Sequence, residues 1–254
     1  MVEESNRPRR ANLIETWAIL AYSYYVTGVA CIRVWQLSLK GIKERLAYDA
    51  VIHEWAEKVT SKVRIRHKVI NPASTTPSSE KPTILMCNHV SLYDIPVSLL
   101  SVDGSVRMLS KKELFRFPIL GLGMRTAEFI SIDRQNRYKA IKDLKIAKEK
   151  MESGIVLWIA PEGTRSRNGK LLPFKKGGFH LAIETGAEII PMGIRGIDNV
   201  LPARTHHYHF DMPVEVHIGK AIDASEYALD DKEKLLGVVR EEILKLTNQN
   251  ELLR

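Results

Sequence analysis

Cysteine is scarce in this chain: 254 residues hold only Cys31 and Cys87. Both lie in apolar runs without metal-ligand spacing. That argues against a disulfide scaffold and a cysteine-built metal centre, and both thiols read as reduced residues facing a core or a membrane. Long hydrophobic runs are missing too. The main apolar stretch, Trp17 to Ile32, is shorter than the ~20 residues a spanning helix needs. It has no small-residue cleavage pattern and runs into basic residues, so it does not read as a cleaved leader. There is no internal repeat and no low-complexity tract. Acidic residues are in deficit, 30 against 38 basic ones, leaving a net charge of +8. Such a balance calls for an anionic partner: nucleic acid, an anionic membrane surface or phosphate-bearing substrates. Stacking on nucleic acid needs aromatics interleaved with the basic residues. Here the aromatics gather at the N-terminal end, so no nucleic-acid partner is expected.

Residues 1–12 are polar and carry Arg7, Arg9 and Arg10. In the apolar stretch that follows, Trp17, Tyr22, Tyr24, Tyr25 and the nearby Trp35 are side chains that settle at the headgroup level. The stretch fits a buried helix, a spanning helix or a monotopic segment. Basic residues stand on both sides of it, with Arg33, Lys40 and Lys43 after it. Positive charge is retained on the cytoplasmic side, so this symmetry favours a monotopic or peripheral anchor on the cytoplasmic face. Gly41 to Lys62 is a second helical pattern, with Tyr48, Ile52, Trp55 and Val59 on one face. That stripe suits the first segment, the domain or lipid. Residues 63–70 read as a half-exposed strand, and Asn71 to Pro82, with three prolines, as a loop. The expected division is a helical membrane anchor over 1–62 and a catalytic domain over 63–254.

Beyond the loop, strands are expected at Ile84–Cys87, Val106–Ser110, Glu128–Ile132, Ile155–Ala160, Glu188–Ile194 and Val214–Gly219. Helices are expected at Tyr93–Leu100, Lys111–Arg116, Tyr138–Glu152, Gly178–Thr185 and Ser225–Thr247. This alternation predicts an α/β fold: a mixed, largely parallel sheet flanked by helices, preceded by the N-terminal membrane-associated helical pair.

The chemistry gathers after three of those strands. Asn88-His89-Val90-Ser91-Leu92-Tyr93-Asp94 leaves the first. On an ideal helix His89 and Asp94 would point roughly 140° apart. This places His89 on the loop and Asp94 in the first turn of the next helix, where it can accept from one ring nitrogen. The other nitrogen is then a free base, as in a Ser–His–Asp triad whose serine is missing; a substrate hydroxyl can fill that role. Asp133-Arg134 follows another strand, and Pro161-Glu162-Gly163-Thr164-Arg165-Ser166 a third. In a parallel sheet all three lie on the edge where ligands of open α/β folds bind. Lys111, Arg134, Arg165 and Lys175 are candidate phosphate ligands. Gly163 permits close backbone approach. Glu162 can orient an arginine or a substrate hydroxyl. Each of these singly is also an ordinary loop residue. His206-His207-Tyr208-His209 suggests a metal by composition alone and reads better as a loop or strand entry, so no metal is expected.

These blocks resemble the glycerolipid acyltransferase family, most closely its 1-acyl-sn-glycerol-3-phosphate acyltransferases. The Asn-His-x-Ser-x-x-Asp block matches Asn88 to Asp94. Residues 127–134 keep the Asp-Arg end of a second block whose first glycine is here Ala127. Pro161 to Ser166 matches the Pro-Glu-Gly-Thr-Arg-Ser block, with Ala160 in place of its leading phenylalanine. Ile189-Ile190-Pro191-Met192 is similar to the fourth, and Ser110-Lys111-Lys112-Glu113-Leu114 also fits. The resemblance implies acyl transfer from coenzyme A or acyl carrier protein to lysophosphatidic acid held at a bilayer, with His89 and Asp94 catalytic. Lys111, Arg134, Glu162, Gly163, Thr164 and Arg165 would bind substrate, and no cofactor beyond the thioester co-substrate would be needed. A sister enzyme with another acceptor and a non-catalytic membrane or nucleic-acid binder are the rival readings.

Overall fold

The computed structural model describes residues 9–133 and 136–249. In chain order its elements are β1 (Arg9–Arg10), α1 (Leu13–Leu39), α2 (Arg45–Lys62), β2 (Arg66–Ile70), β3 (Thr83–Cys87), α3 (Asp94–Leu99), β4 (Val106–Lys111), α4 (Pro118–Thr126), β5 (Ile130–Ile132), α5 (Arg137–Glu152), β6 (Val156–Ile159), α6 (Gly177–Thr185), β7 (Glu188–Arg195), α7 (Ile197–Val200), β8 (His209–Phe210), β9 (Pro213–Ile218), β10 (Ile222–Asp223) and α8 (Lys232–Leu246).

The main sheet runs β2-β9-β7-β3-β6-β4-β5, with β10 also on β7. The five neighbours β7, β3, β6, β4 and β5 are all parallel. β9 lies antiparallel to β7, and β2 parallel to β9. The expected mixed, largely parallel sheet is therefore present. β3 is buried along its whole length, as a strand with helices on both faces must be. Leu85, Cys87, Trp158, Ile190 and Met192 turn to the face covered by α2 and α3. Ile84, Met86, Leu157, Ile159 and Ile189 turn to α5, α6 and α8.

Several elements differ from expectation, among them the helix expected at Ser225–Thr247, which begins at Lys232 after two 3₁₀ turns. Lys111 closes β4, and only Lys112–Arg116 is helical, as a 3₁₀ turn. β5 begins at Ile130 because Glu128 takes a positive φ of 64°. α4 was not expected, since two glycines weaken its helical pattern. Packing decides there: a Cβ on Gly123 would stand 2.4 Å from Cys31 Cβ in α1, so only glycine lets the two helices cross this closely.

The N-terminal pair is tied to the body at both ends. α1 starts in a capping box, with Glu15 N donating to Asn12 Oδ1 and Asn12 N to Glu15 Oε2. Ahead of it, β1 pairs with β8 and Ala11 N donates to Tyr208 O. Ile19, Val26 and Val34 of α1 are buried. On ideal geometry they share one side, while exposed Leu13, Ile14, Trp17, Tyr24, Tyr25, Trp35 and Leu39 fall within an arc of about 120° on the other. α1 is long and apolar enough to cross a membrane by length and composition. The stripe on α2 turns inward instead. Tyr48, Ile52 and Val59 are buried, and Trp55 Nε1 donates to Thr27 Oγ1 at 2.9 Å. That stripe is thus protein-facing, and of the two helices it is α1 that turns an apolar face outward.

Candidate active site

The parallel strands β3, β6, β4 and β5 bring the loops after them to one edge. The backbone ladder between β3 and β7 reaches Cys87 and Met192. There the Asn88 side chain takes over: its Nδ2 donates to Ile194 O at 3.0 Å and its Oδ1 accepts from Ile194 N at 2.8 Å. The chain then turns off the sheet at His89. Asp94, the first residue of α3, is fully buried. Its Oδ2 accepts from His89 Nδ1 at 2.7 Å, Val90 N at 2.8 Å and Ser91 N at 2.9 Å. Three donors on one oxygen fix the loop as well as the ring. With Nδ1 donating, Nε2 keeps its lone pair. Trp158 meets the imidazole edge-on, with ring centroids 5.9 Å apart. Ser91 Oγ donates to Leu201 O.

The loop after β6 is joined to the same turn. His89 N donates to Glu162 Oε1 at 2.7 Å, Leu172 N to Glu162 Oε2 at 2.8 Å, and Ser166 N to His89 O at 2.7 Å. Glu162 is buried, which raises its pKa, while the Leu172 and His89 amides oppose that rise. It was expected to orient an arginine or a substrate hydroxyl. Both of its oxygens instead accept from backbone amides, because a buried carboxylate must be satisfied where it stands. Gly163 holds φ at +71° with Lys175 packed over it. Thr164 is exposed and Arg165 partly so. Lys111 is exposed; its neighbour Lys112 is paired with Asp133. Among the described residues, neither Lys111 nor Arg165 has an ion-pair partner. Arg134 lies outside the described residues. No cluster of three His, Cys, Asp or Glu side chains able to hold a metal occurs among the described residues.

A cavity of about 820 Å³ begins beside this turn, lined by Leu92, Tyr93 and Lys111 and by Tyr24 and Gly28 of α1. Thr27, Cys31, Trp55, Leu92, Leu114 and Leu120 line both it and an almost wholly apolar cavity of about 310 Å³ that reaches Ala127 and Phe129. The two adjoin along these six residues between α1, α2, α3 and α4, and Lys111 lines the larger one.

A family model described as Acyltransferase matches residues 60–195, more than half of the chain. The chain belongs to the acyltransferase family. The chain is 30% identical to a chloroplastic 1-acyl-sn-glycerol-3-phosphate acyltransferase of Brassica napus over 76% of this chain and 58% of that one. It is 31% identical to an Arabidopsis thaliana enzyme of the same name over 70% of this chain and 51% of that one. It therefore spans somewhat over half the length of these relatives. The crystal structure of a 1-acyl-sn-glycerophosphate acyltransferase from Thermotoga maritima shares its fold, with a TM-score of 0.71 at 22% identity, covering 92% of this chain and 96% of that one.

Sequence reasoning missed Trp158, the Asn88 clasp on β7 and the tie from Glu162 to His89. Trp158 lies in a strand where a tryptophan looks like plain core. The other two link residues more than 70 positions apart, and no local spacing encodes them.

Proposed function

We propose that this chain transfers a fatty acyl group from an acyl thioester to the free hydroxyl of lysophosphatidic acid, making phosphatidic acid for phospholipid synthesis. The observation that carries this reading is the 2.7 Å bond from His89 Nδ1 to Asp94, which leaves the Nε2 lone pair open, with no serine hydroxyl bonded to it among the described residues. The acceptor hydroxyl gives its proton to Nε2 while its oxygen forms the new bond to the thioester carbonyl. The tetrahedral adduct collapses, the carbon–sulfur bond breaks, and the thiolate of coenzyme A or acyl carrier protein takes the proton back from the imidazolium. Asp94 supports that cation and fixes the tautomer. Every step is carried by the dyad and the two substrates. Lys111 and Arg165, both without a counter-ion among the described residues, hold the acceptor phosphate, and the apolar cavities take an acyl chain. A thiol-release assay with both carriers and a panel of acceptors tests this. Turnover with lysophosphatidic acid above a lyso-aminolipid, lysophosphatidylcholine or glycerol 3-phosphate supports it; preference for one of those transfers the site to a sister reaction.

Residues 1–62 act as the anchor and 63–254 as the catalytic domain. Fifteen or so methylenes favour lipid over water by about 12 kcal/mol, so the site must meet its substrate at the bilayer. The outward aromatic stripe of α1 sinks into one leaflet. Both ends of α1 are tied to the same body, through β1 with β8 and through α2 on α3, which supports a monotopic segment over a crossing one, and the basic residues on both sides of it favour the cytoplasmic face. Replacing Trp17, Tyr24, Tyr25 and Trp35 with serine should release the protein from vesicles with its melting temperature kept. Labelling of the two termini on opposite sides of sealed vesicles would overturn the monotopic placement.

A further inference from the structure

The structure assigns Arg240, on the C-terminal helix, as a positioning residue for His89, an assignment that rests on the acyl-transfer reading above. α8 lies outside every sequence block that carries the resemblance, yet it reaches the base through one continuous chain of bonds. Arg240 Nη2 donates to Leu171 O at 3.1 Å and Nη1 to Leu172 O at 2.6 Å. The carbonyl of Leu171 and the amide of Leu172 belong to one peptide unit, and that amide donates to Glu162 Oε2 at 2.8 Å. The other oxygen of Glu162 accepts from His89 N at 2.7 Å. A guanidinium at one end thus polarises a peptide group toward a buried carboxylate, and the carboxylate grips the backbone of the base. Hydrogen bonds in series strengthen one another in a low-dielectric interior.

The guanidinium is itself held for this task. It stacks over Phe174 at 5.2 Å, and Phe174 stacks on buried Phe179. Among the described residues no carboxylate pairs with Arg240, so its charge is spent on the loop carbonyls and the ring. Gln249, just past α8, grips the same loop, accepting from Leu171 N at 2.8 Å and donating to Gly169 O at 2.9 Å. Glu162 needs both amides, because a buried carboxylate left with one empty oxygen would be driven toward protonation. When Arg240 lets the loop go, Leu172 N leaves Glu162 and the grip on His89 N slackens. The ring then samples poses in which Nε2 is misplaced, and displacement on the order of 1 Å costs about 10²-fold in rate.

The test compares wild type, Arg240→Ala, Arg240→Lys and Lys234→Ala, a control on the same helix whose ammonium lies over Tyr227. Two readouts are taken on folded protein: thiol release over a range of acceptor concentrations, and amide hydrogen exchange by mass spectrometry. Arg240→Ala should lower kcat about tenfold to a hundredfold with the acceptor KM within about twofold. Exchange should rise in peptides covering 86–92 as well as 169–176. Arg240→Lys, which keeps the charge and a single donor nitrogen, should recover part of both effects, and Lys234→Ala should change neither. If exchange over 86–92 stays at the wild-type level, or the loss of rate equals the loss of folded protein, the assignment is wrong. Absence of thiol release in wild type would remove the acyl-transfer reading, while the exchange of the His89 turn would still judge the linkage from α8.

Discussion

Arg107 and Lys111 lie four residues apart on the same strand and live opposite lives. Arg107, near the start of β4, is 1% exposed. Its Nη1 is 2.7 Å from Asp49 Oδ1 of α2, its Nη1 also donates to Val106 O and its Nε to Ala127 O. Burial pulls its pKa down while Asp49 pulls it back up. Asp49 accepts in turn from Ser105 Oγ, and nearby Arg45 is paired with Glu128. At this end of the sheet the charges close on one another and clasp α2 to the core. Lys111, at the carboxyl end, is exposed and without a counter-ion among the described residues, and it lines the same cavity as Leu92 and Tyr93 of the His89 turn. Ion pairs clasp the structural end of the sheet; on the reading proposed above, left-over capacity marks the end that meets substrate.

The largest expected effect comes from removing that left-over capacity. His89→Ala should cut kcat by about 10²–10⁴-fold with an unchanged melting temperature, and Asp94→Asn should also be poor because the tautomer and the imidazolium both lose support. Near-normal turnover by folded His89→Ala would break the contrast at once. At the opposite end the signs reverse. Asp49→Ala leaves Arg107 buried and unpaired, which should cost about 3 kcal/mol, seen as a lower denaturation midpoint, with the acceptor KM of the folded fraction unchanged. If this variant altered KM instead, the paired end would not be purely structural.

Lys111→Ala and Arg165→Ala fall between these extremes. Losing a charged hydrogen bond worth about 1.5–3 kcal/mol should raise the acceptor KM roughly tenfold or more and leave the thioester KM alone. A change confined to the thioester would reassign the phosphate site. Lys112→Ala sharpens the comparison, since Lys112 is already engaged by Asp133 and should affect KM less than Lys111→Ala does. The smallest effect is at Asp223, whose pKa is lowered to about 2 by the hydrogen bond from Lys81 and by Ser225. A depressed carboxylate stabilises the fold above its ordinary pKa of 3.8, and this contribution is lost as pH falls toward 2. Lys81→Ala should lower stability slightly near neutral pH and almost not at all at pH 2, measured as acid-unfolding curves of the two proteins.

Much of the sheet edge that carries the site was legible in the sequence, though the Arg107–Asp49 pair was not. The strand endings at Cys87 and Ile159 stand within a residue of where apolar runs met polar blocks, and His89 with Asp94 fell on a loop and a first helical turn as their spacing required. What could not be read was direction and reach. The stripe on α2 suits lipid and protein alike, and only its packing on α1 and α3 turns Tyr48 and Ile52 inward. Glu162 looked like a ligand residue because its partners, the amides of His89 and Leu172, are backbone groups that carry no sequence signal. α4 was hidden for a related reason: Gly123 weakens a helix considered by itself and makes possible the one packed against Cys31.

The central claim is that the dyad lacks a protein nucleophile and borrows the acceptor's hydroxyl. The most direct measurement is rapid-mix thiol release from a labelled acyl thioester, with lysophosphatidic acid or with its deoxy analogue lacking the free hydroxyl. The account predicts continuous release with the first and, with the second, neither a burst of thiol nor label on the protein. A burst of about one thiol per enzyme with the deoxy analogue, leaving an acylated protein, would contradict it.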